Sequence, residues 1–243
     1  MQIVLQKKLP FDVSKKKPLP AITALEPSEW LITDDAYAGQ MNERVRLIEN
    51  KRHEVLALDT TAYKAADELL DLALAFLPNL PGFTRTKSHV QCPDGRTVDI
   101  KITDPLATLG RVFQNDFCIM QKQGDEHILT GAILCFPASW SLSEKFMHPL
   151  TVIHEPVPEY DDNITKRVQR LFDGIKSDRP LWRFNALNYT NPELFQPRTR
   201  YNRREIPTAG EGNFFRSERQ TLLRLPNTQA VVFGIHTFVL ANT

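Results

Sequence analysis

Cysteine is scarce and unpaired in this chain: Cys92, Cys118 and Cys135 are the three in 243 residues, and none sits in a Cys-x-x-Cys spacing. So odd and scattered a set provides neither a disulfide framework nor a four-thiolate zinc or iron-sulfur site. Covalent c-type heme attachment, which needs Cys-x-x-Cys-His, is excluded with them. Long apolar runs are also missing, since no stretch of about twenty apolar residues is available to cross a bilayer. Only a few apolar residues precede Lys7 and Lys8, too few for the core of a secretory signal, so the expected location is cytoplasmic. Thirty Lys and Arg against 29 Asp and Glu leave a formal charge of +1. No global field then argues for nucleic acid or an anionic membrane as a partner.

Several signatures of chemistry are absent too. Neither G-x-x-x-x-G-K-[ST] nor a strand-associated G-x-G-x-x-G occurs, and Gly210-Glu211-Gly212 stands alone in a polar stretch where flexibility explains it. There is no G-x-S-x-G, and Ser139 has no glycine neighbours, which makes it a turn residue rather than a nucleophile. His154-Glu155 does not extend to H-E-x-x-H, because position 158 is proline and the prolines at 156 and 158 forbid the helix that zinc motif requires.

With 42% hydrophobic and 24% charged residues, the chain has the make-up of a globular protein. Pro10, Pro18, Pro20, Pro27 and the run Lys15-Lys16-Lys17 give residues 1–29 the character of an extended arm. Residues 30–243 carry no internal repeat and no linker, so they are expected to form a single domain. Helical spacing of Tyr37, Met41, Val45 and Ile48 predicts a helix over 36–49, and that of Ala66, Leu69, Leu70, Ala73, Leu74 and Leu77 a second over 62–77, stopped by Pro78 and Pro81. Asp94-Gly95 marks a hairpin between 87–91 and 97–102, and Gln123-Gly124-Asp125-Glu126 another between 117–121 and 128–136. Asp161 and Asp162 are placed to cap a helix burying Ile164, Val168, Leu171, Phe172 and Ile175. A strand over 181–187, a long polar loop over 188–213, and strands over 221–225 and 230–240 about the turn Pro226-Asn227-Thr228 complete the pattern. Hairpins and helices without strand-helix-strand alternation predict an α+β fold, an antiparallel sheet carrying helices on one side.

Two groups of residues have chemistry to offer. An apolar strand ending near Phe136 runs into a proline-stiffened loop that holds His154, where an imidazole has three uses: metal or heme ligation, acid/base work, or hydrogen bonding within the loop. His148, just before Pro149, is a second candidate of the same kind. The other group is Arg216, Arg219 and Arg224. On an extended strand these three do not share a face, so a bend or helical turn is needed for them to converge on an anion such as a heme propionate. Pairing with Glu218 or other surface carboxylates is the plainer use.

Ser139-Trp140-Ser-Leu-Ser-Glu144-Lys145, Pro149-Leu150-x-x-Ile153-His154-x-Pro156-Val157-Pro158-x-Tyr160, Arg183-x-Asn185, and Arg216-x-Glu218-Arg219-Gln220-Thr221-Leu222-x-Arg224-Leu225-Pro226 followed by Phe233 form an ordered set. Together they resemble the heme-dependent oxidative N-demethylase-like family, in its heme-carrying alpha subunit. The likeness extends through Trp30, Asp35, Tyr37, Arg44, Pro105-Leu106 and Gln114-x-Asp116. It implies a PAS-like antiparallel sheet with flanking helices around a heme b. It also implies oxidation of a small secondary amine with dioxygen to a primary amine and formaldehyde, with electrons from a separate flavin and iron-sulfur reductase subunit that carries FMN, a 2Fe-2S cluster and the NADPH site. Its chemistry and its place inside one of these motifs make His154 the expected iron ligand, with Arg216, Arg219 and Arg224 expected to bind propionates or shape the pocket. The chain departs from the family pattern at Ala186, where Arg-x-Asn is commonly followed by Trp, and at Met147-His148, where a glycine is frequent. A non-catalytic PAS-like heme or small-ligand sensor is the alternative.

Overall fold

The computed structural model describes residues 3–15, 20–154, 162–199, 201–202 and 212–242, with residues 154 and 162–166 described by their backbone alone. Lys16, Lys17, the Pro156-Val157-Pro158-x-Tyr160 motif, the caps expected of the Asp161 and Asp162 side chains, and Gly210-Glu211 lie outside those residues. In chain order the elements are strand β1 (Thr23–Ala24), helices α1 (Tyr37–Asn50) and α2 (Arg52–Val55), strand β2 (Leu56–Leu58), helix α3 (Tyr63–Phe76), strands β3 (Thr84–Arg85), β4 (His89–Gln91) and β5 (Thr97–Asp99), helix α4 (Pro105–Val112), strands β6 (Asp116–Gln123) and β7 (Glu126–Ile133), helices α5 (Leu142–Lys145), α6 (Leu150–His154) and α7 (Asp162–Gly174), and strands β8 (Leu181–Tyr189), β9 (Phe214–Arg224) and β10 (Val231–Ala241).

Helices α1 and α3 form where the apolar spacing places them, each burying one stripe: Tyr37, Met41, Leu47 and Ile48 on α1, and Ala66, Leu69, Leu70, Ala73 and Leu74 on α3. Helix α4 escaped the periodicity because its eight residues make little more than two turns, too few to show a repeat, and all of them except Arg111 are buried. Pro105 starts it, with a φ already suited to a first helical turn. Gly110 lets it approach closely, since a Cβ there would come within 2.8 Å of Ile133 and 2.9 Å of Ile48.

Seven strands make one antiparallel sheet in the order β1-β8-β9-β10-β6-β7-β2, and β3-β4-β5 make a small second one. Phe117, Ile119, Leu223 and Val232 on one face of the large sheet pack with α1, α3 and α4. Cys118, Met120, Leu129, Leu222 and Ile235 on the other pack with Leu142 of α5, Leu150 of α6 and Phe172 of α7. Helices therefore cover both faces, not one as the sequence predicted. The central strands β6, β7 and β10 are buried on both sides, so they show no inside-outside alternation to say which face needs covering.

Two further differences bear on the site. Strand β9 begins seven residues earlier than expected, because its first half carries Arg216, Ser217, Glu218 and Arg219, polar residues that are nonetheless buried. The stretch expected as a stiff loop after Phe136 contains α5 and α6, the latter started by the Ile153 N–H donating to Pro149 O at 2.9 Å. The N-terminal arm runs against the sheet. Gln6 exchanges hydrogen bonds with Val239, and Phe11 packs on Trp182, Phe184 and Phe238.

A buried ion pair joins the helical layer to the sheet. Arg44 Nη1 donates to Asp116 Oδ1 at 2.6 Å with both side chains essentially inaccessible. The rest of the guanidinium donates to the carbonyls of Gly110, Gln114 and Asn115. Asp116 in turn accepts the N–H groups of Cys135 and Phe136, at 2.7 and 2.9 Å. Removing one partner strands the other charge, so Arg44→Met is expected to lower the unfolding free energy by about 3–5 kcal/mol in urea titration.

A second network gathers Asp34, His236, Gln114, Gln40 and Gln6. Asp34 Oδ2 meets His236 Nε2 at 2.9 Å and accepts from Gln6, and Oδ1 accepts from Gln114 at 2.8 Å. Burial pushes the Asp34 carboxyl up, but the hydrogen bond and charge of His236, with Gln114 and Gln6, outweigh it and hold the pKa at about 2. Its folded pKa lies below the unfolded value, so the stability it adds is present above pH ~4 and disappears as pH falls towards 2. Acid unfolding followed by circular dichroism should show a loss of about 2 kcal/mol over that window, absent in Asp34→Asn.

Candidate functional site

Between the second face of the large sheet and helices α6 and α7 lies a cavity of about 570 Å³. Strand register builds its floor. Leu222 on β9 lies beside Phe233 on β10, which pairs with Cys118 on β6; in the next row Arg183 on β8 pairs with Gln220, which pairs with Ile235. Alternation sends every second residue of each strand to this face, so Met120, Leu129, Asn185 and Glu218 join the lining. Leu150 and Ile153 of α6 and Val168, Leu171 and Phe172 of α7 form the roof, with Trp140 and Lys145 at the side.

Polar groups collect along the β8–β9 side. The buried Glu218 carboxylate accepts from Asn185 Nδ2 at 2.8 Å and Gln220 Nε2 at 3.0 Å, both on Oε2. Asn185 Oδ1 accepts the Glu218 N–H at 2.9 Å, which locks the pair across the two strands. Arg183 is held differently: its Nε is buried with no hydrogen-bond partner among the described residues. Burial lowers its pKa, with Glu218 acting the other way. Lys145 projects beside Trp140, its Nζ 4.8 Å from the ring centroid. Burial brings its pKa down to about 8, against the opposing pull of Cys118, Glu144 and Glu218. Burial raises the pKa of the Cys118 thiol on the cavity floor, keeping it protonated and weakly nucleophilic.

His154 is the last residue of α6, a helix that contributes Leu150 and Ile153 to the cavity; its side chain lies outside the described residues. His148 is exposed in the turn before α6 and does not line the cavity. The three arginines do not converge. Strand β9 is straight, so Arg219 faces the opposite side of the sheet from Arg216 and Arg224. About 26 Å of strand separates those two. Arg216 donates to the carbonyls of Glu193, Leu194 and Phe136, Arg219 to those of Glu29 and Trp30, and Arg224 to those of Phe172, Asp173, Ile175 and Gln229. Each pins main chain from a different segment.

Arg183, Asn185, Lys145 and Glu218 were legible only as members of motifs, since nothing in their spacing says that β8, β9 and α5 meet. His127 was not singled out at all. It is buried on β7, its Nδ1 lies 2.8 Å from Gln169 on α7, and its ring is 5.3 Å from that of Phe172. Its Nε2 has no partner among the described residues, and burial lowers its pKa. Met147, one of the two positions (147 or 148) where the resembled pattern often has glycine, has φ of 61°, the left-handed region that glycine occupies without strain. Ala186 lies between the cavity-lining Asn185 and Leu187, so its side chain is on the opposite face of β8 and the departure there is outside the cavity wall.

The family model for the haem-dependent oxidative N-demethylase, alpha subunit-like, matches residues 21–243, and the chain belongs to that family. The match takes in every strand of the large sheet and all of the cavity lining except Pro20. No helix among the described residues is long and apolar enough to cross a membrane.

An unpartnered buried donor costs stability, and a residue retained in spite of that cost is a candidate for ligand binding. Replacing it with an apolar side chain of similar length, Arg183→Met, should raise the unfolding free energy by about 1 kcal/mol. A comparable loss in the urea midpoint would instead show that Arg183 has a structural partner.

Proposed function

We propose that this member of the family is the heme b-carrying subunit of an oxidoreductase. It would convert a small secondary amine to a primary amine and formaldehyde, with dioxygen as oxidant and electrons from a separate reductase carrying NADPH, FMN and a 2Fe-2S cluster. The observation that carries the reading is the cavity of about 570 Å³, apolar over the sheet floor and helical roof and polar along β8 and β9. Its size is that of a small-molecule or cofactor site. A porphyrin needs the same division, with apolar surface against its faces and a cation near its carboxylates. Arg183, whose buried Nε lacks a partner, fits the second need.

Bound there, heme would supply the iron chemistry for dioxygen activation and N-methyl oxidation. The chain's own part is binding, orientation and exclusion of water. His154 is the iron ligand in this reading, as the last residue of the helix that lends Leu150 and Ile153 to the cavity. In this reading Arg216 and Arg224 shape the pocket from outside its lining, while Arg219, on the other face of the sheet, secures the Glu29–Trp30 segment. Arg224 holds the C-terminal end of α7 over the sheet, and Arg216 holds the chain where it leaves β7. A PAS-like arrangement agrees with an antiparallel sheet whose ligand lies between its face and flanking helices. The three cysteines are buried and free, which agrees with a cluster carried by a partner.

Purified with heme supplied, the protein should show an intense Soret band; a fully folded chain without one overturns the proposal. His154→Ala should remove or shift the band. An unchanged ferric spectrum would pass the ligand role to another residue, and His127→Ala is the variant to examine next. Formaldehyde release from a secondary amine, with reductant and dioxygen present, separates an enzyme from a heme sensor.

A further inference from the structure

Lys145 is a lysine in an unusual place. It ends α5 and lines the cavity, yet among the described residues its ammonium makes no hydrogen bond and no ion pair; its one close partner is the Trp140 ring at 4.8 Å. The carboxylate nearest in role, Glu218, is engaged by the amides of Asn185 and Gln220. A positive charge half-buried in the cavity without a direct ion pair is costly, whereas a neutral amine is not, and a neutral amine is a nucleophile. Burial accordingly brings the group's pKa to about 8. The charged and titratable groups that face it are Cys118 from β6, Glu218 from β9, and Glu144 beside it on α5, with Arg183 of β8 in the same cavity.

We propose that Lys145 is a carbonyl-capturing amine, which condenses reversibly with a small aldehyde that enters the cavity. The Nζ lone pair attacks the carbonyl carbon, the carbon–oxygen π pair moves to oxygen, and the proton lost by nitrogen is taken up there to give a carbinolamine. Departure of that hydroxyl as water leaves an imine, and addition of water reverses the step. No oxidant or reductant is consumed. Desolvated lysines in apolar pockets are the usual amines of Schiff-base chemistry. The capture site stands on the geometry of Lys145; only the source of the aldehyde rests on the function proposed above, which makes formaldehyde in the same cavity. Lys145 would then hold the product until water releases it.

The test is reductive trapping on the full chain, as purified and again after heme loading. Butyraldehyde and cyanoborohydride are added at pH 7, and labelling is read lysine by lysine by mass spectrometry. Each pKa unit below the ordinary lysine value raises the neutral fraction tenfold, so Lys145 should label at least about ten times faster than the exposed Lys64 and Lys101. Its rate should level off near pH 8. Lys145→Arg should remove the fast-labelling site and leave the slow ones. Labelling of Lys145 no faster than Lys64 and Lys101 in the folded wild-type protein overturns the inference, and so does a fast site that survives Lys145→Arg. The Soret band reports separately on heme: its absence with selective labelling defeats the heme reading and keeps the capture site, and its presence without selective labelling does the reverse.

Discussion

The Arg44–Asp116 pair is the contact on which the rest of the arrangement depends. Asp116 opens β6, and its two oxygens receive a guanidinium from α1 and the main-chain N–H groups of Cys135 and Phe136, just beyond β7. Arg216 then takes the Phe136 carbonyl at 2.8 Å. One carboxylate and two arginines therefore set how the chain leaves the sheet before it makes α5 and α6. Those helices supply one side of the cavity and part of its roof, so the pocket's shape is decided at a buried charge cluster outside its lining.

The two faces of the sheet do different work. One is filled by three helices and closed with apolar side chains, and its polar network around Asp34 and His236 is hydrogen-bonded almost throughout. The other keeps a cavity of about 570 Å³ and tolerates an unpartnered Arg183 Nε and a Lys145 with no hydrogen bond among the described residues. A folded chain gains nothing from such groups by themselves. Unpartnered buried groups occur elsewhere too, Trp30 Nε1 and Asn115 Nδ2 among them, but of those among the described residues only Arg183 Nε belongs to the cavity lining.

Helices α1 and α3 and the hairpins at Asp94-Gly95 and Gly124 were legible because local signals specify them: a 3.6-residue apolar stripe, or a glycine where the turn needs positive φ. Helix α4 and the first half of β9 were not. The former is too short to show a repeat and the latter is polar but buried, so neither carries the pattern on which periodicity depends. The same blindness hid the second layer of helices, since strands buried on both sides do not say what covers them.

By itself, the sequence determined that heme cannot be attached through Cys-x-x-Cys-His and that a four-thiolate cluster, a P-loop and a strand-associated G-x-G-x-x-G are not on this chain, because those sites need fixed residue types at short spacings. It also carried the ordered motifs that mark the family. Only the tertiary structure decided which motif residues share a site. Asn185 and Glu218 meet because β8 and β9 pair in one register, while Arg216, Arg219 and Arg224, neighbours in sequence, are directed apart by the alternation of a straight strand. Spacing along a chain becomes distance in space only through strand register and side-chain direction, and those are set by long-range pairing that local sequence does not encode.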